Sequence, residues 1–156
     1  MNLTYTASDG THKHPIMGCY GIGVGRAMAA ILEESSDDNG PVWNMETAPF
    51  AVHVIGLNGK NERITEFSQR VHDELTANGC DVILDNRDTT AGEKFADADL
   101  IAAPIRLIVS DKNMERGVIE VKYRVNDFDV SNMPTEFGMD NFVPMVQDAI
   151  RKLSHK

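Results

Sequence analysis

The chain has 156 residues, 42% of them apolar and 25% charged, enough for one good domain core with an appendage and too apolar throughout for a largely disordered protein. No apolar run approaches the ~20 residues of a membrane span, no signal-peptide pattern opens the chain, and Cys19 and Cys80 are too far apart in sequence to suggest a disulfide framework or a CxxC zinc pair. These features read as a cytoplasmic protein with no metal site. The net charge of −9 argues against a broad basic surface for nucleic acid. Residues 85–124, however, carry seven of the fifteen Lys and Arg residues against eight acids, so any phosphate-facing patch is expected there.

In chain order, Leu3–Thr6 is short and β-prone, Ser8–Thr11 is a turn signal, Ile16–Tyr20 is the expected returning strand, and Arg26–Glu34 has helical apolar spacing. A hairpin and one helix bury too little to fold alone, so this stretch reads as part of something larger. Ser35–Pro41 is a solvated loop by composition, and the stretch to Pro49 reads as a connector. Strands are then expected at Ala51–Leu57, Asp81–Asp85, Ile105–Ser110 and Gly117–Arg124. Helices are expected at Asn61–Ala77, stopped by Asn78-Gly79, at Gly92–Ala102, and at Phe137–Leu153. This alternation implies an α/β sheet with helices on both faces; the third and fourth strands are joined too closely for a helical crossover and should be antiparallel.

Two segments carry chemistry. In Met17-Gly18-Cys19-Tyr20-Gly21-Ile22-Gly23-Val24-Gly25-Arg26, alternate glycines permit close backbone approach to a ligand, and an arginine at the helix start suits phosphate. The sixth position of a dinucleotide fingerprint is occupied by Arg26, and the G-K-[ST] of a P-loop is absent. Close strand–helix packing with a surface arginine explains the pattern equally well. The second segment runs from Leu84 through Arg87, Asp88 and Lys94 to Arg106: a strand end, a polar loop and a helix N-terminus, where open α/β sheets bind ligands. Its bland alternative is a charged loop of weak ion pairs. His12 and His14 flank a turn without acidic or thiol partners, and Trp43 is expected to pack the connector.

Residues 16–26 resemble motif 3 of class II aminoacyl-tRNA synthetases in the form found in bacterial prolyl-tRNA synthetases. The stretch GEKFADADLIAAPIR within 92–106 is similar to the anticodon-binding domain of that family. The resemblance implies a remnant of the catalytic domain and connector at 1–47. It implies a three-layer α/β/α anticodon-binding domain at 48–156, with a mixed sheet of about five strands and three helices. The fifth strand is expected near Asp127–Val130. In motif 3 the resemblance places Cys19 beside the proline pocket, Gly21 and Gly23 near the adenylate, and Arg26 on the γ-phosphate of ATP. It assigns anticodon contacts to Arg87, Asp88, Lys112, Asn113 and Lys122, with Lys94 and Arg124 as backbone contacts, and the anticodon guanines of proline tRNA as the bases read. The parent enzyme it implies is a homodimeric proline–tRNA ligase using ATP and Mg2+. This chain has neither motif 1 nor motif 2, so it is expected to bind tRNA without ligating and to need no cofactor. A free-standing tRNA-binding accessory protein and a flavodoxin-like small-molecule-binding module remain as alternatives.

Overall fold

The structure is a computed structural model describing residues 3–126 and 128–154. Its backbone separates into two compact units, Met1–Ala30 and Ile31–Lys156. In the first, β1 (Tyr5–Thr6) pairs antiparallel with β2 (His12–Lys13). The turn between them is tight: Gly10 takes a left-handed φ of 80°, and the Asp9 carboxylate accepts from both the backbone N–H and the hydroxyl of Thr11. The return strand therefore follows immediately after the turn. The expected strand at Ile16–Tyr20 does not form; these residues are exposed, Ile16 and Tyr20 almost completely. Helix α1 (Val24–Glu34) begins two residues before Arg26.

The second unit opens with a small hairpin, β3 (Ser36–Asp37) with β4 (Gly40–Pro41), in the segment read above as a solvated loop. Val42 and Trp43 follow it and are buried. The main sheet has the order β6-β5-β7-β8-β9. Strands β5 (Val52–Gly56), β6 (Val82–Asp85) and β7 (Ile105–Val109) are parallel. Strands β8 (Val118–Tyr123) and β9 (Glu136–Gly138) continue the sheet antiparallel, as the short β7–β8 link requires. That link contains a five-residue helix, α4 (Asp111–Glu115), capped by the Ser110 hydroxyl, which accepts from the Asn113 amide.

Helix α2 (Glu62–Ala77) starts at an Asn61 cap and ends at Asn78, where Gly79 turns with φ of 80°. Its Ile64, Phe67, Val71 and Leu75 pack with Phe142, Val146 and Ala149 of α5 (Phe142–Ser154) on one face of the sheet, against Val52, Val54, Leu107 and Val121. Helix α3 (Ala91–Ile101) carries a complete Thr90/Glu93 capping box and covers the opposite face. The expected three-layer mixed sheet of five strands is present.

Two boundaries differ. The fifth strand is β9, not the stretch near 127–130. Asp127 lies outside the described residues, and Phe128 and Val130 lean on the core without joining a ladder. The closing helix starts at Phe142 rather than Phe137, because Phe137 is taken by β9 opposite Ile119. Pro144 sits in the first turn of α5, where its missing N–H costs nothing.

Candidate nucleic-acid interface

Register aligns side chains in rows across the sheet. On the α3 face one row reads Ile83, His53, Arg106, Lys122, and the next reads Asp85, Ile55, Ile108, Glu120, Glu136. Helix α3 lies over the first part of these rows: the Lys94 ammonium donates to the Gly56 carbonyl at 2.6 Å, and Arg106 donates to Ala98 O and to the Asp99 carboxylate. Beyond Arg106 the face is open, and Glu120, Lys122 and Glu136 are half-buried or exposed there. At the border, the Lys122 ammonium sits 5.4 Å from the centroid of the Phe95 ring and 3.7 Å from a Glu120 carboxylate oxygen. Asn113 donates to Glu120 at 3.4 Å, and exposed Lys112 stands beside it on α4.

The carboxyl rim of the parallel strands continues this strip. The Asn61 amide donates to Asp111 at the start of α4. Lys60 lies 3.5 Å from Asp88 in the β6–α3 loop. Gly59 is pressed against that loop: a Cβ at this position would stand 2.8 Å from Arg87 O and 3.0 Å from Asp88 Cα. Arg87, Asp88, Lys112, Asn113 and Lys122 are thus linked through successive contacts of the 57–61 loop, α4, Glu120 and Phe95.

Two expected backbone contacts do not fit. Lys94 is fully buried, its charge committed to Gly56 O and to Asp85 at 3.8 Å. Burial pulls its pKa down against the pull of the Asp85 carboxylate. Arg124 is only 12% exposed and donates to both oxygens of Asp37 and to Pro41 O, fastening the β3–β4 hairpin. Both cations serve the fold.

Arg87 is half-committed. Its Nε and Nη2 donate to Asp85 and its Nη2 also to Asp97, which raises its pKa further. Burial alone would raise the Asp85 carboxyl; the hydrogen bonds from Arg87 and the charges of Lys94 and Arg87 outweigh it and hold the group below its ordinary value. Phe95, Lys60 and Glu120 were not singled out in the sequence. The one local signal for Phe95 is an aromatic on a polar helix turn next to Lys94.

In the first unit, Cys19, Gly21 and Arg26 are exposed, and the Arg26 guanidinium folds back over Gly23. Among the described residues no cluster of three His, Cys, Asp or Glu side chains is placed to hold a metal ion, and no helix is long and apolar enough to cross a membrane.

The family described as the anticodon binding domain matches residues 51–148. A proline–tRNA ligase of Endomicrobium trichonymphae is 47% identical over 124 residues, which is 80% of this chain and 22% of that protein. One of Bacillus licheniformis is 38% identical over 154 residues, 99% of this chain and 26% of that protein. The chain therefore spans about a quarter of the length of the curated relatives it matches. Among solved structures, the prolyl-tRNA synthetase of Cryptosporidium parvum complexed with L-proline and AMP shares the fold, with a TM-score of 0.69 and 20% identity over 82% of this chain and 26% of that one.

Proposed function

The chain belongs to the anticodon-binding domain family, and we propose that it recognises the anticodon loop of proline tRNA as the C-terminal part of a proline–tRNA ligase. The reading rests on one observation above all: on the open half of the sheet, Lys122 lies over the Phe95 ring with Glu120 and Asn113 beside it. Unstacked RNA bases are bound by such an arrangement of an aromatic face with hydrogen-bonding groups at its edge. Phe95 stacks a base, Lys122 donates to guanine O6 or N7, and the Glu120 carboxylate accepts from N1–H and N2–H. Lys112 meets a phosphate. Asp88, paired with Lys60 at the rim, offers a second carboxylate for the neighbouring guanine.

In the whole ligase the chemistry is ATP-dependent attachment of proline, with Mg2+ on the phosphates, in the cytoplasm and by a homodimer. From this chain Arg26 would supply a phosphate contact, with Gly21 and Gly23 allowing close approach and Cys19 near the amino acid. A glycine strand and one arginine do not stabilise the charge of an adenylation transition state by themselves. The chain alone is therefore expected to give no ATP–pyrophosphate exchange above background.

The deciding measurement is gel-shift titration with proline tRNA and with a transcript whose anticodon guanines are replaced. The wild-type chain should prefer the authentic anticodon, and Lys122→Ala should lose about 1–3 kcal/mol of binding to it. Equal affinity for both transcripts overturns the reading.

A further inference from the structure

Among the described residues, Lys94 is the largest side chain to lie entirely out of water. Burying an ammonium is costly, and an apolar side chain of the same length would fill the space without that cost. Its contacts show what the charge holds. Nζ donates to the Gly56 carbonyl at 2.6 Å and lies 3.8 Å from Asp85. Gly56 ends β5 and Asp85 ends β6, so one ammonium holds the two points from which the 57–61 and 86–90 loops leave the sheet. Gly56 is also pinned from the opposite face: a Cβ there would stand 2.8 Å from Ser68 Oγ and 3.3 Å from Ile64 Cγ2 of α2. Asp85 in turn accepts from the backbone N–H of Arg87 at 3.1 Å and from its guanidinium at 2.8 Å, and Nη2 of Arg87 reaches Asp97 at 2.6 Å. Asp97 stands three residues after Lys94, one turn along α3. Lys94, Asp85, Arg87 and Asp97 thus close a ring that begins and ends on the same helix.

We propose that Lys94 is the positioning residue of the base-reading strip: through this ring it sets the rotation of α3, and with it the place of Phe95 relative to Lys122 and the two rim loops. Only Lys94 and Ala98 of α3 are fully buried, so apolar packing does little to fix that rotation. Arg106 holds the far end of the helix through Ala98 O and Asp99. The ring holds the end that carries Phe95, and two anchors one turn apart resist turning about the helix axis where one would not. Phe95 follows Lys94 directly, with the Lys122 ammonium 5.4 Å from its centroid. A group that stacks a base must be held to about 0.5 Å by the side chains behind it. Lys94 touches no RNA and acts through Phe95 and the loops. Its buried charge then secures register, a use that an apolar side chain of equal volume does not serve. This role rests on the anticodon reading.

The test uses fluorescence anisotropy of two labelled proline tRNA anticodon stem-loops, the authentic one and one with its anticodon guanines replaced, on the full chain. Lys94→Met keeps the side-chain length without the charge. Asp97→Ala opens the same ring at a half-exposed position and leaves Arg87 its bonds to Asp85. The wild-type preference for the authentic loop should fall at least fivefold in Lys94→Met and at least twofold in Asp97→Ala. Affinity for the replaced loop and its salt dependence should stay as in the wild type. A role confined to stability gives a different result: a lower urea midpoint, with the preference of the folded fraction intact. The positioning role is overturned if Lys94→Met folds and keeps the wild-type preference, or if it does not fold and Asp97→Ala keeps that preference. A wild-type chain that does not distinguish the two loops overturns the anticodon reading itself, and the positioning role with it.

Discussion

Gly59 holds its position because nothing larger fits: a methyl there would meet Arg87 O at 2.8 Å and Asp88 Cα at 3.0 Å, both backbone atoms of another loop. Backbone cannot swing aside as a side-chain tip can, so Gly59→Ala must separate the 57–61 and 86–90 loops. The loops carry Lys60 and Asp88 but little of the core. We expect Gly59→Ala to cost about 1–2 kcal/mol in urea denaturation and to weaken stem-loop binding several-fold. A variant with unchanged affinity would mean that the rim does not touch RNA. At the same scale, the burial of Lys94 has no local signature. A lysine opening a helix beside a polar loop looks solvent-facing, and nothing local announces that the Gly56 carbonyl, 38 residues away, receives its ammonium.

Among the elements, the β3–β4 hairpin shows where sequence reasoning ran short. Ser35–Pro41 is polar and turn-forming, and its apolar anchor, Val42 and Trp43, comes only afterwards. What fixes the hairpin is Arg124, whose guanidinium reaches Asp37 at 2.8 Å and Pro41 O at 3.0 Å across 87 and 83 residues of sequence. A contact of that range has no periodic signature. By contrast β5 and β7 are legible as short apolar runs buried throughout, β8 by its alternation and α2 by its 3.6-residue stripe, while α3 is announced by its Thr90/Glu93 cap rather than by any stripe. β9 was not: three residues with one buried side chain, Phe137, carry too little pattern, and neighbouring Phe128 and Val130 imitate it by packing without pairing. Arg124→Ala should destabilise the chain by about 1 kcal/mol, since it leaves a part-buried carbonyl without its donor. Asp37→Ala should cost less, and the double variant should show clear coupling in a mutant cycle. Because Arg124 is committed to the fold, RNA affinity measured on the folded fraction should change little.

Over the whole molecule, two charge balances follow. The first concerns stability. His53 has its pKa lowered to about 4 in the fold against an ordinary 6.5, so below pH 6.5 the unfolded chain binds a proton that the folded chain refuses. Stability should fall as pH drops from 6.5 towards 4, by about 2 kcal/mol between pH 7 and pH 5. Urea midpoints at the two pH values check this, and His53→Phe should flatten the difference. Asp85, held below its ordinary value, adds its loss only at more acid pH.

The second balance concerns binding. Residues 85–124 contain seven cations, yet Lys94, Arg106 and Arg124 are largely buried in ion pairs or hydrogen bonds, Arg87 is held by two carboxylates and Arg116 pairs with Glu136. Lys112 and Lys122 remain accessible, with Lys60 joining them from the rim. On a chain of net charge −9, RNA affinity then depends on two phosphate-facing cations, Lys112 and Lys60, and on base contacts that include Lys122. A single-stranded loop that gains two such contacts should give log K against log salt a slope of about −1.4. Fluorescence anisotropy of a labelled anticodon stem-loop from low to moderate salt measures it. A slope near −5 would require cations that this fold keeps internally paired, and would move the RNA to another surface. Removing Lys112 by Lys112→Ala should make the slope shallower by about 0.7 with the preference for guanine intact, whereas Lys122→Ala should erode that preference.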